Sequence, residues 1–202
     1  MPNQPDYTIQ KGIKTEHRDD AARLYAEAFK NKFEKLLGTP DEVTEILKDS
    51  INASYAFTAV STTNELVGLV GFYHKNSSLM DIKLKRLIRK YGFFSGLYKK
   101  LVIFILFFKK RDNNKQLLMD GIVTKKEHRG KGIGTGLMDK LDEFALENKM
   151  TSIKLDVVYG NDDAKRMYEN RYFKATGDVR NPGFIKRIIG VEGLTTMVKI
   201  LK

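Results

Sequence analysis

The amino-acid sequence predicts an α/β (α+β) fold, a mixed central sheet of about seven strands flanked by helices. Three observations carry this. Apolar residues switch along the chain between the two-residue spacing of strands and the three-four spacing of helices. A basic, glycine-rich turn at residues 129–134 joins a strand-like segment to an amphipathic helical one. Beyond that helix come an alternating β-branched segment, a short helix and further strands. A length of 202 residues suits one domain with a sizeable core.

From the N-terminus, residues 7–11 read as a strand. A helix follows from about residues 15–18, with Ala21, Leu24, Tyr25, Ala28 and Phe29 at helical spacing. Gly38-Thr39-Pro40-Asp41 breaks the chain and caps a second helix that ends near Ile51. Residues 53–61 and 65–73 form a hairpin around Thr62-Thr63-Asn64. Residues 79–111 predict two helices, 80–91 and, after Gly92 and Gly96, 97–110. A strand at 117–124, a helix at 133–149 and a strand at 151–158 come next. The last strand, 194–201, offers an edge to another subunit, so an oligomer is among the expectations.

Composition narrows the chemistry. Hydrophobic residues make up 42% and charged residues 30%, as in globular proteins. There is no cysteine, which excludes disulfides, thiol nucleophiles and thiolate metal sites. His17, His74 and His128 lack ligand spacing, so no metal is expected. Residues 1–6 lack the layout of a signal peptide, and a cytoplasmic location is expected. Net charge is +11, unevenly placed: residues 79–111 hold ten Lys and Arg against Asp81 alone, a local +9. That stretch includes the apolar run 101–108, too short for the ~20 residues of a membrane span. Three readings of it stay open: a helix packed over the open end of the sheet with its lysines reaching water, a wall of an apolar acceptor pocket, or an interfacial helix making peripheral membrane contact with anionic lipid. The basic residues lack base-stacking or groove-reading motifs, so no nucleic-acid partner is expected.

The turn Arg129-Gly130-Lys131-Gly132-Ile133-Gly134 is the most informative stretch. Glycines let backbone amides approach an anion, a helix N-terminus favours negative charge, and two cations flank it. A dinucleotide fingerprint would need a third glycine at Thr135 or Leu137, and a P-loop would need Ser or Thr where Gly132 stands. Arg-x-x-Gly-x-Gly after a strand instead resembles the pyrophosphate loop of the GNAT superfamily of acetyl-CoA-dependent N-acyltransferases. Downstream, Asn161-x-x-Ala164, a short helix carrying Tyr168, and Phe173 are similar to that family's second signature. Tyr172 departs from it, standing where the family usually has glycine, and is expected to alter the turn into the next strand. The resemblance is specific over about residues 116–175 and implies a sheet splayed between strands 117–124 and 151–158 to admit the cofactor.

The cofactor-binding roles follow from the resemblance, the candidate bases and the acceptor class from the residues and the charge. Arg129, Gly130, Lys131, Gly132, Ile133, Gly134 and Thr135 would hold the pyrophosphate of acetyl-CoA, the co-substrate. Backbone groups of Ile122, Val123 and Thr124 would pair with the pantetheine arm, one amide serving the thioester oxygen. Tyr168 would be the general acid toward the leaving thiolate, and Asn161 would bond the pantetheine or act as a turn residue. Three sources of a base stay open: Asp120, placed by strand alternation on the same face as Thr124, Glu65 near the hairpin end, or bulk water. His128 reads as a surface residue. The expected reaction is acetyl transfer, by direct attack through a tetrahedral intermediate, to a small-molecule or protein amine that is not polycationic, its pocket walled by residues 79–111 and 184–191. Alternatives are transfer of a longer acyl chain received by residues 101–108, and a CoA-sensing membrane-surface protein.

Overall fold

The computed structural model describes residues 6–107 and 113–201. Strand β1 (Tyr7–Lys11) leads to helices α1 (Arg18–Ala28), α2 (Lys30–Leu37) and α3 (Pro40–Lys48). The start of α3 is written in its sequence: Thr39 accepts from the Glu42 amide and the Glu42 carboxylate accepts from the Thr39 amide. Pro40 occupies the first helical position, where a missing N–H costs nothing. Then come β2 (Ala56–Ser61), β3 (Leu66–His74), the two-residue β4 (Ser77–Ser78), α4 (Leu84–Tyr91) and α5 (Phe93–Phe107). The remainder is β5 (Gln116–Thr124), α6 (Ile133–Glu147), β6 (Ser152–Val158), α7 (Asp162–Glu169), β7 (Lys174–Arg180), α8 (Gly183–Ile189) and β8 (Gly193–Ile200). Helix α8 has no counterpart in the sequence reading, because seven residues are too few for a periodic signal to separate helix from strand.

The strands form one mixed sheet in the order β1-β2-β3-β5-β6-β8-β7, with β4 appended to β3. Only β5 and β6 pair in parallel among the described strands; every other pair is antiparallel. Each face carries its own core. On one, Tyr25, Phe33, Leu37, Leu47, Leu69 and Val123 are buried beneath α1, α2 and α3. On the other, Phe72, Leu117, Met119, Leu137, Phe144 and Tyr168 are buried beneath α6 and α7. The last strand does not offer the edge expected of it: β8 is paired on both sides, by β6 and by β7, and β7 is the edge.

The segment 79–111 turns out differently from its first reading. Its helices are packed backbone to backbone where Gly96 meets Ile88, since a Cβ at Gly96 would stand 2.6 Å from the Ile88 nitrogen. The lysines of α5 do not reach outward to water. Lys99 donates to the carbonyl of Leu36, and Lys100 to that of Ile82 at 2.6 Å. Val102 and Ile103 are buried while Leu101 and Phe104 are exposed, so these neighbours do not line a common channel for an acyl tail. The side chains of 105–107 and residues 108–112, including Lys109, Lys110 and Arg111, lie outside the described residues. In the stretch 184–191, Ile185 and Val191 belong to the core beneath α1–α3 rather than to an open wall. No described helix is long and apolar enough to cross a membrane.

Tyr172 adopts a left-handed backbone, which glycine takes at lower cost. Its φ is +66°, and the chain still closes α7 with Phe173 N–H donating to the Tyr168 carbonyl at 3.0 Å. The closing hydrogen bond and the burial of Phe173 hold this backbone in place. The ring itself is 81% exposed. A left-handed non-glycine residue costs about 1–2 kcal/mol, partly offset by glycine's greater freedom when unfolded. Tyr172→Gly is expected to raise stability by about 0.5–1 kcal/mol. A lowered midpoint in chemical denaturation would instead mean that the ring contributes packing.

Candidate functional site

Where β5 and β6 part decides the geometry. They pair at three positions only, Gln116 with Ser152, Leu117 with Ile153 and Leu118 with Lys154. Beyond these, β5 stays bonded to β3 as far as Thr124, and β6 to β8 as far as Val158. The two strands are thus held from their outer sides and separate from each other. The stretch of β5 holding Ile122, Val123 and Thr124 has no strand paired to it on the β6 side. A strand edge inside a sheet carries N–H and C=O groups that need partners from elsewhere.

A bulge sits at the mouth of this wedge. Gly71 pairs with Gly121 but Phe72 pairs with Met119, leaving Asp120 as the extra residue of β5. The bulge inverts the alternation, which corrects the expectation that Asp120 and Thr124 share a face. A Cβ on Gly68, the partner of Thr124, would meet Ile133 and Leu137, so Thr124 lies on the α6 side. Asp120 lies on the α1 side: it accepts from the Leu79 amide at 3.3 Å, and its charge adds to the burial that raises the Tyr25 pKa. Next to it a Cβ on Gly121 would stand 2.5 Å from the Phe29 ring, so glycine here lets α1 approach the bulge.

Past the end of β5, the turn builds an anion cradle. Gly130 and Gly132 have φ of +76° and +78°, a backbone that only glycine adopts cheaply. Gly132 is the N-cap of α6 and brings no capping side chain, and the first turn of α6 holds no acidic residue. Among the described residues, none accepts a hydrogen bond from the amides of Gly130 to Thr135. By contrast α7 is capped by Asn161 and carries Asp162 and Asp163 in its first turn. Arg129 and Lys131 are exposed beside the turn, with no ion pair to a described residue. Glu65 anchors the approach to it, bonding Lys125 at 2.6 Å and facing His128 at 3.7 Å. The Lys125 hydrogen bond lowers the Glu65 pKa, which makes Glu65 a poorer base. The hydroxyl of Tyr7 stands against Gly132 and Gly136. No sequence signal marked Tyr7, since it reaches the turn from the opposite end of the chain.

Tyr168 is 6% exposed, edge-on to Phe173 at 5.7 Å, and burial pushes its pKa well above that of a free phenol. Ion pairs fix its helix against α6: Arg171 bonds Asp139 and lies 3.5 Å from Asp142, and Lys199 of β8 reaches Asp142 at 2.6 Å. Asn161 uses its side-chain oxygen to cap α7, accepting from the Ala164 amide at 3.2 Å, which leaves its Nδ2 for other partners. A cavity of about 270 Å³ lies between the end of β6, the start of α7 and β7, lined in part by Asn161, Lys165 and Asp178. It shares Asn161 with the site but none of β5 or the turn. The wedge and the turn, which converge from independent features, define the site better. Among the described residues no cluster of metal-ligating side chains occurs.

The sequence model of the acetyltransferase (GNAT) family matches residues 18–173. No curated protein sequence matches the chain. Among solved structures, one described as an acetyltransferase is similar at 17% identity and a TM-score of 0.62, covering 96% of this chain and 100% of that one. Ard1 from Thermoplasma volcanium is similar at 14% identity and 0.60, covering 98% and 99%. A GNAT-family acetyltransferase from Staphylococcus aureus Mu50 gives 15% and 0.58, covering 97% and 99%. At such identities the structures speak to the fold alone, while the family match spans the insertion, the wedge and the turn together. The chain belongs to the GNAT family of acetyltransferases.

Proposed function

We propose that the chain moves an acetyl group from acetyl-CoA to the amine of a neutral, apolar or anionic acceptor by direct attack. The observation that carries this is the parting of β5 and β6 beside a turn whose amides lack acceptors among the described residues. Acetyl-CoA, when bound, supplies an acyl group activated as a thioester. Arg129, Lys131 and the amides of Gly130, Gly132, Ile133, Gly134 and Thr135 hold its pyrophosphate. The open edge at Ile122, Val123 and Thr124 pairs with the pantetheine arm and aims one N–H at the acyl oxygen. A hydrogen-bond donor pre-aimed at developing negative charge lowers the barrier without reorganising. The Nδ2 of Asn161 lies on the same rim.

Two proton movements remain, one away from nitrogen and one toward sulfur. Asp120 and Tyr168 stand on opposite faces of the sheet, so neither competes for the other's proton. Asp120 takes the amine proton through water from the α1 side. Tyr168 donates to sulfur from the α7 side. With its pKa raised above 10 against about 8.5 for a thiol, full transfer from Tyr168 is uphill by about 2 kcal/mol or more. It therefore acts first as a hydrogen-bond donor to the developing thiolate. It also stays protonated across the neutral range, so any limb of the pH–rate profile near neutrality belongs to another group. The acceptor class follows from charge: the one large concentration, +9 within residues 79–111, repels polycations.

Three measurements test this reading. Arg129→Ala and Lys131→Ala are each expected to weaken CoA binding about threefold to tenfold in calorimetry, less so at high salt; unchanged affinity in both would remove the turn from the cofactor site. Tyr168→Phe is expected to lower turnover about 10²-fold with acetyl-CoA affinity little altered, and a normal rate with chemistry limiting would end its role as acid. Asp120→Asn can still accept from the Leu79 amide, so folding should survive while turnover falls about tenfold or more at neutral pH and its pH dependence flattens. If only thermal stability moves, Asp120 serves the fold and the amine loses its proton to solvent.

A further inference from the structure

The outer face of α5 is apolar, exposed and free of charge. Phe93, Phe94, Leu97, Tyr98 and Leu101 are between 48% and 85% exposed and fall on one side of the helix at three-four spacing. The two lysines that would interrupt such a face, Lys99 and Lys100, are turned inward onto backbone carbonyls. Contiguous exposed apolar surface of this kind marks an interaction site. Helix α4 packs on α5 through Gly96 and Ile88, its exposed side carries Lys85, Arg89 and Lys90, and residues 82–111 contain no Asp or Glu at all. Arg86 is held by Asp49 and Lys83 by Asp81, which leaves Lys85 and Arg89 as outward cations without an ion pair among the described residues.

We propose that the α4–α5 hairpin docks the protein on an anionic lipid bilayer, α5 inserting its aromatic and aliphatic side chains at headgroup depth while α4 meets the lipid charge. An exposed apolar face rich in aromatic residues, next to a helix bearing outward cations, is the pattern of elements that lie in a membrane interface. A 15-residue helix is about 22 Å long, short of the ~30 Å hydrocarbon core, so it lies on the surface and does not cross. A second copy of the chain fits less well, because a two-fold contact through this face would bring two acid-free cationic helices together. The proposal is independent of the acyl-transfer reading, for no residue on this face is placed in the wedge or the turn.

Co-sedimentation of the whole chain with vesicles tests it. Binding to vesicles containing roughly one-third phosphatidylserine in phosphatidylcholine should exceed binding to phosphatidylcholine alone by about tenfold or more and weaken in about 0.5 M salt. The combined substitution Phe94→Ser, Tyr98→Ser and Leu101→Ser should lower binding about tenfold or more, with the thermal midpoint unchanged because these side chains are exposed. Lys85→Glu with Arg89→Glu should abolish the preference for phosphatidylserine while leaving the apolar face whole. Failure of the unsubstituted protein to sediment with either vesicle overturns the proposal, as does equal binding by both variants. Light scattering that finds a dimer split by the serine substitutions overturns it too, in favour of a second copy on this face.

Discussion

One break in backbone pairing organises this molecule. A sheet that continued its β5–β6 ladder past Leu118 and Lys154 would satisfy the peptide groups that face each other across it and leave no opening between these two strands. Pairing stops after three residues while each strand stays bonded to its outer neighbour, β5 to β3 and β6 to β8, and the bulge at Asp120 adds twist where separation begins. Everything proposed for the reaction hangs on that separation. The glycine turn lies beyond the free end of β5, Tyr168 rides on the helix that follows β6, and Asp120 is the bulge itself. The proposed site would draw on an anion cradle, an unpaired edge and two titratable groups, and it involves no thiol, since the chain has no cysteine.

Rigid support comes from two directions. Glu65 ties the turn's approach to the β2–β3 hairpin through Lys125, while Asp139, Asp142, Arg171 and Lys199 lock α6, the end of α7 and β8 together. These pairs are partly exposed and contribute modestly to stability. Their effect is positional: α6 follows the glycine turn, α7 carries the phenol, and the pairs tie the two together.

How much of this was legible in the sequence depends on whether the information is local. The cap of α3 and the turn at 129–134 were readable because Thr39, Pro40, Glu42 and three glycines act through their own backbone. The strands and α6 were readable from periodicity. The face of Asp120 was not, because one inserted residue reverses every side chain after it, and only the register with Gly71 and Phe72 reveals the insertion. Nor was the orientation of α5. Its lysines turn inward because the carbonyls of Leu36 and Ile82, 63 and 18 residues away, await a donor there. The left-handed backbone at Tyr172 was not legible either, because the residue type disfavours it and the hydrogen bond from the Phe173 amide to the Tyr168 carbonyl is what closes the turn. Family resemblance supplied the roles of Tyr168 and Ile122–Thr124; their burial and their unpaired edge came from the coordinates alone.

The parted strands also bear on self-association. Exposed strand borders normally invite a foreign chain to add itself, and proteins guard them with charge, proline or brevity. Here the unpaired border of β5 lies inside the sheet, facing β6, and not at the outer margins where β1 and β7 stand. Hunger for hydrogen bonds can thus be kept at full strength for a small guest with little risk of fibril growth.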